Sequence, residues 1–325
     1  MPTRSSAGSS KPFRTDDVSD SALLSSSAVA AIDDLELAAR LVVEGVRSGA
    51  HRSPFHGFTA EFSQHRPYRP GDDLKYLDWK VLARTDRLYS RQFSETTNLS
   101  VMLVLDASAS MSFPAETGAP SKFRYSAIVT AALAYLIIEH GDAAGLMTMA
   151  AGRFVYLPAK GGRQQLRALL AMLSRLEPSG EWPIDRALTR GAELLKRRGA
   201  VIAVSDFYDA TETTARDLRR IARGGHDVAL LQVLSRDEIT FPYTGDLEFE
   251  DLESGTRRHL DARAAGHAYR ARVASFLEDF RKQVHRDGHD YALMPTDIPP
   301  SRALRSYLLR RAAAASSTAR PGDAS

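Results

Sequence analysis

The 325-residue chain has no cysteine. Disulfides, thiolate metal sites and cysteine nucleophiles are therefore excluded, and the absence suits a reducing, cytoplasmic setting. Long hydrophobic runs are missing too. No stretch approaches the roughly 20 apolar residues that span a bilayer, and the longest apolar helical pattern, Ala127 to Ile138, is periodic and bounded by charge. The first residues show no apolar signal-peptide core, so a cytoplasmic protein is expected. Charge of one sign is not in excess either, since 43 Lys and Arg stand against 40 Asp and Glu. Both signs are spread along the chain, and the pI near 9.1 is at best a weak hint of nucleic acid or anionic membrane. No Walker A pattern, GxGxxG loop, GxSxG elbow or HExxH helix occurs. A self-contained NTPase, dinucleotide enzyme, elbow-type serine hydrolase or zinc protease thus gains no support.

What is present is a real core: 43% of residues are hydrophobic, enough for one large or two modest domains. Residues 1–20 are rich in Ser, Thr and charge and read as a disordered tail. Residues 21–50 carry an amphipathic pattern through Leu24, Val29, Leu35, Val42 and Val46 and read as a packing helix. Residues 51–97 differ in kind, with prolines, glycines and alternating aromatic and polar residues that predict a small β-rich subdomain. From 98 to 295, apolar runs alternate with helical patterns, which predicts an α/β fold: a doubly wound, mostly parallel sheet flanked by helices. A β-ribbon is expected near 241–260, a C-terminal helix over 296–311 and a low-complexity, disordered tail over 312–325. His285 and His289 flank a predicted turn at Gly288 and read as solvent-exposed.

Within that pattern one stretch carries chemistry. Val101 to Leu105 is a continuous apolar run of the kind buried on both faces of a parallel sheet, and it ends at once in Asp106, Ser108 and Ser110. In open α/β sheets ligands sit outside the carboxyl ends of strands. A second buried run, Ala200 to Ser205, terminates in Asp206. Two carboxylates and two hydroxyls are hard oxygen donors suited to Mg²⁺ or Mn²⁺, and such a cation could accept a carboxylate from a partner protein. The plainer alternative makes Asp106 and Asp206 helix caps and gives Ser108 and Ser110 to loop amides.

Asp106-Ala107-Ser108-Ala109-Ser110 with the distant Ser205-Asp206 resembles the metal-ion-dependent adhesion site of von Willebrand factor type A domains. The upstream block Tyr68-Arg69-Pro70-Gly71-Asp72-Asp73, with Asp78-Trp79, Ala83-Arg84 and Arg91-Gln92-Phe93, resembles the signature of the bacterial family called domain of unknown function fifty-eight. The resemblance covers roughly Ala38 to Met294. It implies a von Willebrand A-like fold with a β-rich N-terminal elaboration. It also implies a non-enzymatic partner or adaptor of a MoxR-type AAA+ ATPase, docking the ATPase or its client. Many relatives carry N-terminal membrane helices, which are not read here. One departure stands out: where relatives place a ligating Thr after Gly180, this chain has Trp182 and Pro183, leaving Glu181 or Asp185 as substitutes. Two other readings stay open: a metal-assisted hydrolase with Asp72 or Asp73 as base, and a metal-free scaffold.

Overall fold

The computed structural model describes residues 25–48, 65–67, 89–91, 99–114, 120–150, 152–253 and 255–318. Six strands make the central sheet: β3 (Ser100–Leu105), β4 (Ala143–Ala150), β5 (Arg153–Lys160), β6 (Ala200–Ser205), β7 (Asp227–Leu234) and β10 (Asp290–Pro295). Two pairs lie outside it, β1 (His65–Pro67) with β2 (Tyr89–Arg91), and β8 (Asp246–Glu250) with β9 (Arg257–Asp261), both antiparallel. The central order is β10-β7-β6-β3-β4-β5, parallel throughout except for the β4/β5 hairpin. The predicted doubly wound, mostly parallel α/β architecture is the one found. From β3 the chain first adds β4 on one side and later β6 on the other, so the winding reverses at β3 and opens a crevice there.

Alternate residues of β3 feed two cores, because side chains of a strand point to opposite faces in turn. Val101, Leu103 and Leu105 join the layer formed by α2 (Leu35–Ser48), α3 (Lys122–Glu139), α4 (Arg163–Leu173) and α9 (Pro300–Thr318). Met102 and Val104 join the opposite layer, with α5 (Ile184–Glu193), α6 (Glu212–Arg223) and α8 (Ala262–Arg286). Helix α3 is buried nearly all round, as expected of a crossover helix covered on both sides. Among the described residues no helix is long and apolar enough to cross a membrane.

Three expectations need correction, and one element was not anticipated. The helix predicted over 21–50 is two: α1 (Ser26–Ala30) and α2 are separated where Asp34 Oδ1 accepts the amides of Glu36 and Leu37, starting a new helix. The tail expected from 312 is helical to Thr318, because its alanine run has high helix propensity and simply continues α9. His289 is buried rather than exposed, with 5% of the residue accessible. A short helix, α7 (Arg236–Thr240), precedes the ribbon without a sequence expectation behind it. The ribbon itself, β8 and β9, falls inside and just past the predicted 241–260. Of the β-rich stretch 51–97, only β1, β2 with their pairing His65 to Arg91, and no side chains, are described; Asp72, Asp73 and Arg84 lie outside the described residues.

Candidate functional site at the strand ends

The register of the parallel strands assembles the site. Leu105 pairs with Val204, and the Asp106 amide donates to the Val204 carbonyl at 2.9 Å, so Asp106 and Ser205 leave the sheet side by side. Ser205 Oγ donates to Asp106 Oδ2 at 2.6 Å, and the Ser108 amide donates to Oδ1 at 2.8 Å. Ser108 and Ser110 hydroxyls lie 3.0 Å apart, and Ser110 Oγ donates to Asp206 Oδ2 at 3.3 Å. The four residues singled out in the sequence therefore form one connected cluster. Asp106, Ser108 and Asp206 are buried. Part of the plain alternative also holds, since Asp206 Oδ1 accepts the Tyr208 amide at 3.2 Å, a turn-closing bond. Neither Asp caps a helix, for α3 and α6 are capped by Ser121 and Thr211.

The group the sequence did not single out is Lys122. Its side chain is 1% exposed, and Nζ donates to Asp206 Oδ2 at 2.7 Å and to Glu238 Oε1 at 2.6 Å. Nζ also lies 5.4 Å from the centroid of the Tyr208 ring. Burial by itself lowers an ammonium's affinity for its proton, but Asp206 and Glu238 outweigh it and hold Lys122 above its ordinary value. Glu238 reaches the lysine because Ser235 and Glu238 form a capping box at the start of α7: the Glu238 amide donates to Ser235 Oγ at 3.1 Å, and Glu238 Oε2 accepts the Ser235 amide at 2.7 Å. A weak signal for Lys122 was present, a cation opening a mostly apolar helix that also carries Arg124. Its partner Glu238 stands 116 residues away, and nothing in the sequence links the two.

The backbone around Asp206 is fixed from beneath. Gln232 Nε2 on β7 donates to the Asp206 carbonyl at 2.6 Å, and Tyr291 on β10 donates to Gln232 Oε1 at 2.7 Å. Phe207 next takes a left-handed φ of 57°, costly for a side chain with a Cβ, and its buried ring packs against Phe280 with centroids 5.5 Å apart. Burial, followed by the charge of Asp206, pushes the Asp106 carboxyl up to about 7.

Whether these residues suit a divalent cation is decided by geometry already described. The donor types are right, but Asp206 Oδ2 is engaged by an ammonium, and both Asp106 oxygens accept internal hydrogen bonds. The loop where a further oxygen donor was expected docks through Ala109 N to Gly180 O at 2.9 Å, yet Trp182 is 4% exposed and belongs to the apolar layer with Met102 and Val104. Asp185, one candidate substitute, instead accepts the Thr214 hydroxyl of α6. As arranged, with Lys122 in place, the cluster does not fit a resident Mg²⁺ or Mn²⁺.

Around the cluster the surface is acidic. Burial and then Asp206, Glu181 and Asp251 raise the Asp209 carboxyl above its ordinary value, and burial and then Asp209 raise that of Glu253, which Ser110 helps to hold. Beside Ser110 and Lys122 opens a cavity of about 610 Å³ lined by Tyr208, Phe241, Tyr243, Phe249 and Tyr269, with Asp237, Glu248 and Glu250 among its walls.

Comparison with known proteins follows from this geometry. Residues 64–283 match the family model described as Protein of unknown function DUF58. An uncharacterized protein of Mycobacterium tuberculosis is 31% identical over 258 residues, covering 75% of this chain and 80% of that protein. Among solved structures, the conserved hypothetical protein BatB of Bacteroides thetaiotaomicron aligns with a TM-score of 0.45 at 17% identity, covering 66% of this chain and 99% of the other. A von Willebrand factor type A protein of Catenulispora acidiphila aligns with a TM-score of 0.39 at 11% identity, covering 69% of this chain and 44% of the other. The sheet described above, mostly parallel and flanked by helices, is the α/β arrangement shared with these folds.

Proposed function

The chain belongs to the DUF58 family of proteins of unknown function, and from that premise we propose that it is a non-enzymatic interaction module that docks a MoxR-type AAA+ ATPase or its client at the strand-end face. The observation that carries this reading is the cluster itself: Asp106, Ser108, Ser110 and Asp206 meet at the sheet's switch point and are held there by Lys122, Gln232 and Ser205. Their partners are carboxylates, hydroxyls, amides and one ammonium. Among the described residues no histidine is bonded to them. In this reading the Lys122 ammonium supplies the positive charge that neutralises the buried acids, and docking needs no metal.

Two measurements test it. Co-purification of a MoxR-type ATPase with the wild-type protein is expected with or without EDTA, and Ser110→Tyr, which fills the mouth of the cluster, is expected to abolish it. Failure to capture any such ATPase would remove the partner assignment. The competing reading, in which Asp106, Ser108, Ser110 and Asp206 bind Mg²⁺ or Mn²⁺, is supported by the convergence of the four donor groups. Titration calorimetry with Mn²⁺ separates the two. Negligible heat for both wild type and Asp106→Ala is expected here, whereas heat in the wild type that Asp106→Ala loses would establish the metal site.

A further inference from the structure

The cavity beside Lys122 differs in chemistry from the cluster it adjoins. Its walls are rings: Phe241 lies 4.5 Å from Tyr269, 5.2 Å from Tyr243 and 5.7 Å from Phe249, centroid to centroid. Acids stand at intervals among them. Glu238 is consumed by Lys122 and by the Ser235 amide, and Glu250 and Glu248 face Arg257 at 3.0 and 3.8 Å on the outer, half-exposed ribbon. Asp237 has more capacity, its carboxylate meeting the Tyr243 hydroxyl at a long 3.4 Å. Beyond Ser110 the surface continues through Glu253 and Asp209.

Charge decides which occupant such a cavity takes. A carboxylate, a phosphate or an anionic membrane would meet Asp237, Asp209 and Glu253, while Lys122 beneath them is 1% exposed and already satisfied by two carboxylates, and Arg257 is taken up by Glu248 and Glu250. An apolar side chain would fill the rings but leave Asp237 without a counter-charge. A guanidinium on its apolar stem satisfies both, since it stacks on aromatic faces and presents a planar fork of donors to carboxylates. The molecule already contains one example of the chemistry, with the Lys122 ammonium over the Tyr208 ring at the cavity's inner end.

We propose that the aromatic cavity between the strand-end cluster and the β8/β9 ribbon is a docking pocket for an arginine side chain carried on a basic segment of a partner protein. The proposal rests on the interaction-module reading and gives it a polarity: the partner contributes a cation here, where a metal-centred adhesion site would take an acid. The aromatic wall that includes Tyr243 and Tyr269 takes the stem and guanidinium plane, and Asp237 accepts its N–H groups.

The test needs no ATPase, so its outcome is independent of the partner assigned above. Fluorescence anisotropy is measured with a labelled peptide, Gly-Leu-Arg-Leu-Gly, and with counterparts carrying citrulline or glutamate in place of arginine. The arginine peptide is expected to bind the full chain at least tenfold more tightly than the citrulline peptide, with no measurable binding of the glutamate peptide. Tyr243→Ala and Asp237→Asn, both on partly exposed positions, are each expected to weaken the arginine peptide about tenfold while thermal unfolding stays within a few degrees of wild type. Equal binding of arginine and citrulline peptides, preference for glutamate, absence of binding by all three, or indifference to both substitutions overturns the proposal.

Discussion

Lys122 is the residue whose environment says most about how this site is built. A buried ammonium between two carboxylates is stable only as a set, because each charge left alone in the interior is far costlier than the pair. Lys122→Met leaves Asp206 and Glu238 facing each other with no cation between them. We expect it to lower unfolding stability by about 3–5 kcal/mol, read as a lower denaturant midpoint at unchanged slope. Adding Asp206→Asn and Glu238→Gln should recover most of that loss. A single substitution as mild as an exposed lysine change, within ~0.5 kcal/mol, would show that the ion pairs are not formed in solution. Asp106 and Asp206 were legible as a pair from the sequence because each follows a buried strand. Lys122 was only weakly legible, because a cation in the first turn of an apolar helix does not say which distant carboxylates it meets.

At the scale of elements, the site depends on short pieces that sequence patterns represent poorly. Helix α7 has five residues, too few to show a period, yet its capping box aims Glu238 at Lys122. Ser235→Ala removes the oxygen that accepts the Glu238 amide. We expect it to cost about 1 kcal/mol in chemical denaturation, the usual value of an N-cap. In a double-mutant cycle with Lys122→Met it should be non-additive, since Ser235 and Lys122 act on the same carboxylate. The long apolar strands β3, β6 and β7 were readable to within a residue or two, as runs of Val, Leu, Ile and Ala have few alternatives once covered on both faces. The boundary between α1 and α2 was not, because it is set by one Asp34 side chain capping the second helix rather than by any break in the apolar pattern.

Across the whole molecule, the N-terminal helix is part of the fold and not an appendage. Helix α2 packs against α3 and α9, and Ala38, Ala39, Val42 and Val46 are fully buried in the same cluster as Val101, Leu103 and Leu105 of the central strand. Val42→Asp would put a carboxylate without a partner into that layer. We expect the entire sheet to lose stability in one cooperative transition, with coincident near- and far-ultraviolet circular dichroism melts. A separate early transition confined to part of the helical signal would show that α2 is only loosely attached. The strand-end face is likewise a property of the assembled molecule, because Ser110, Lys122, Glu238 and Tyr269 reach it from distant parts of the chain.

The amino-acid sequence by itself determined the α/β class, the strand-ending acids and the family pattern, since each is carried by neighbouring residues or by local periodicity. Only the tertiary structure decided what the acids face. Lys122 meets Asp206 and Glu238 across 84 and 116 residues, Trp182 turns into the apolar layer, and the ribbon brings Phe249 beside Phe241 and Tyr269. Those juxtapositions follow from parallel register and from the crossing of distant segments, so charge balance at the site was set by packing and not by local sequence.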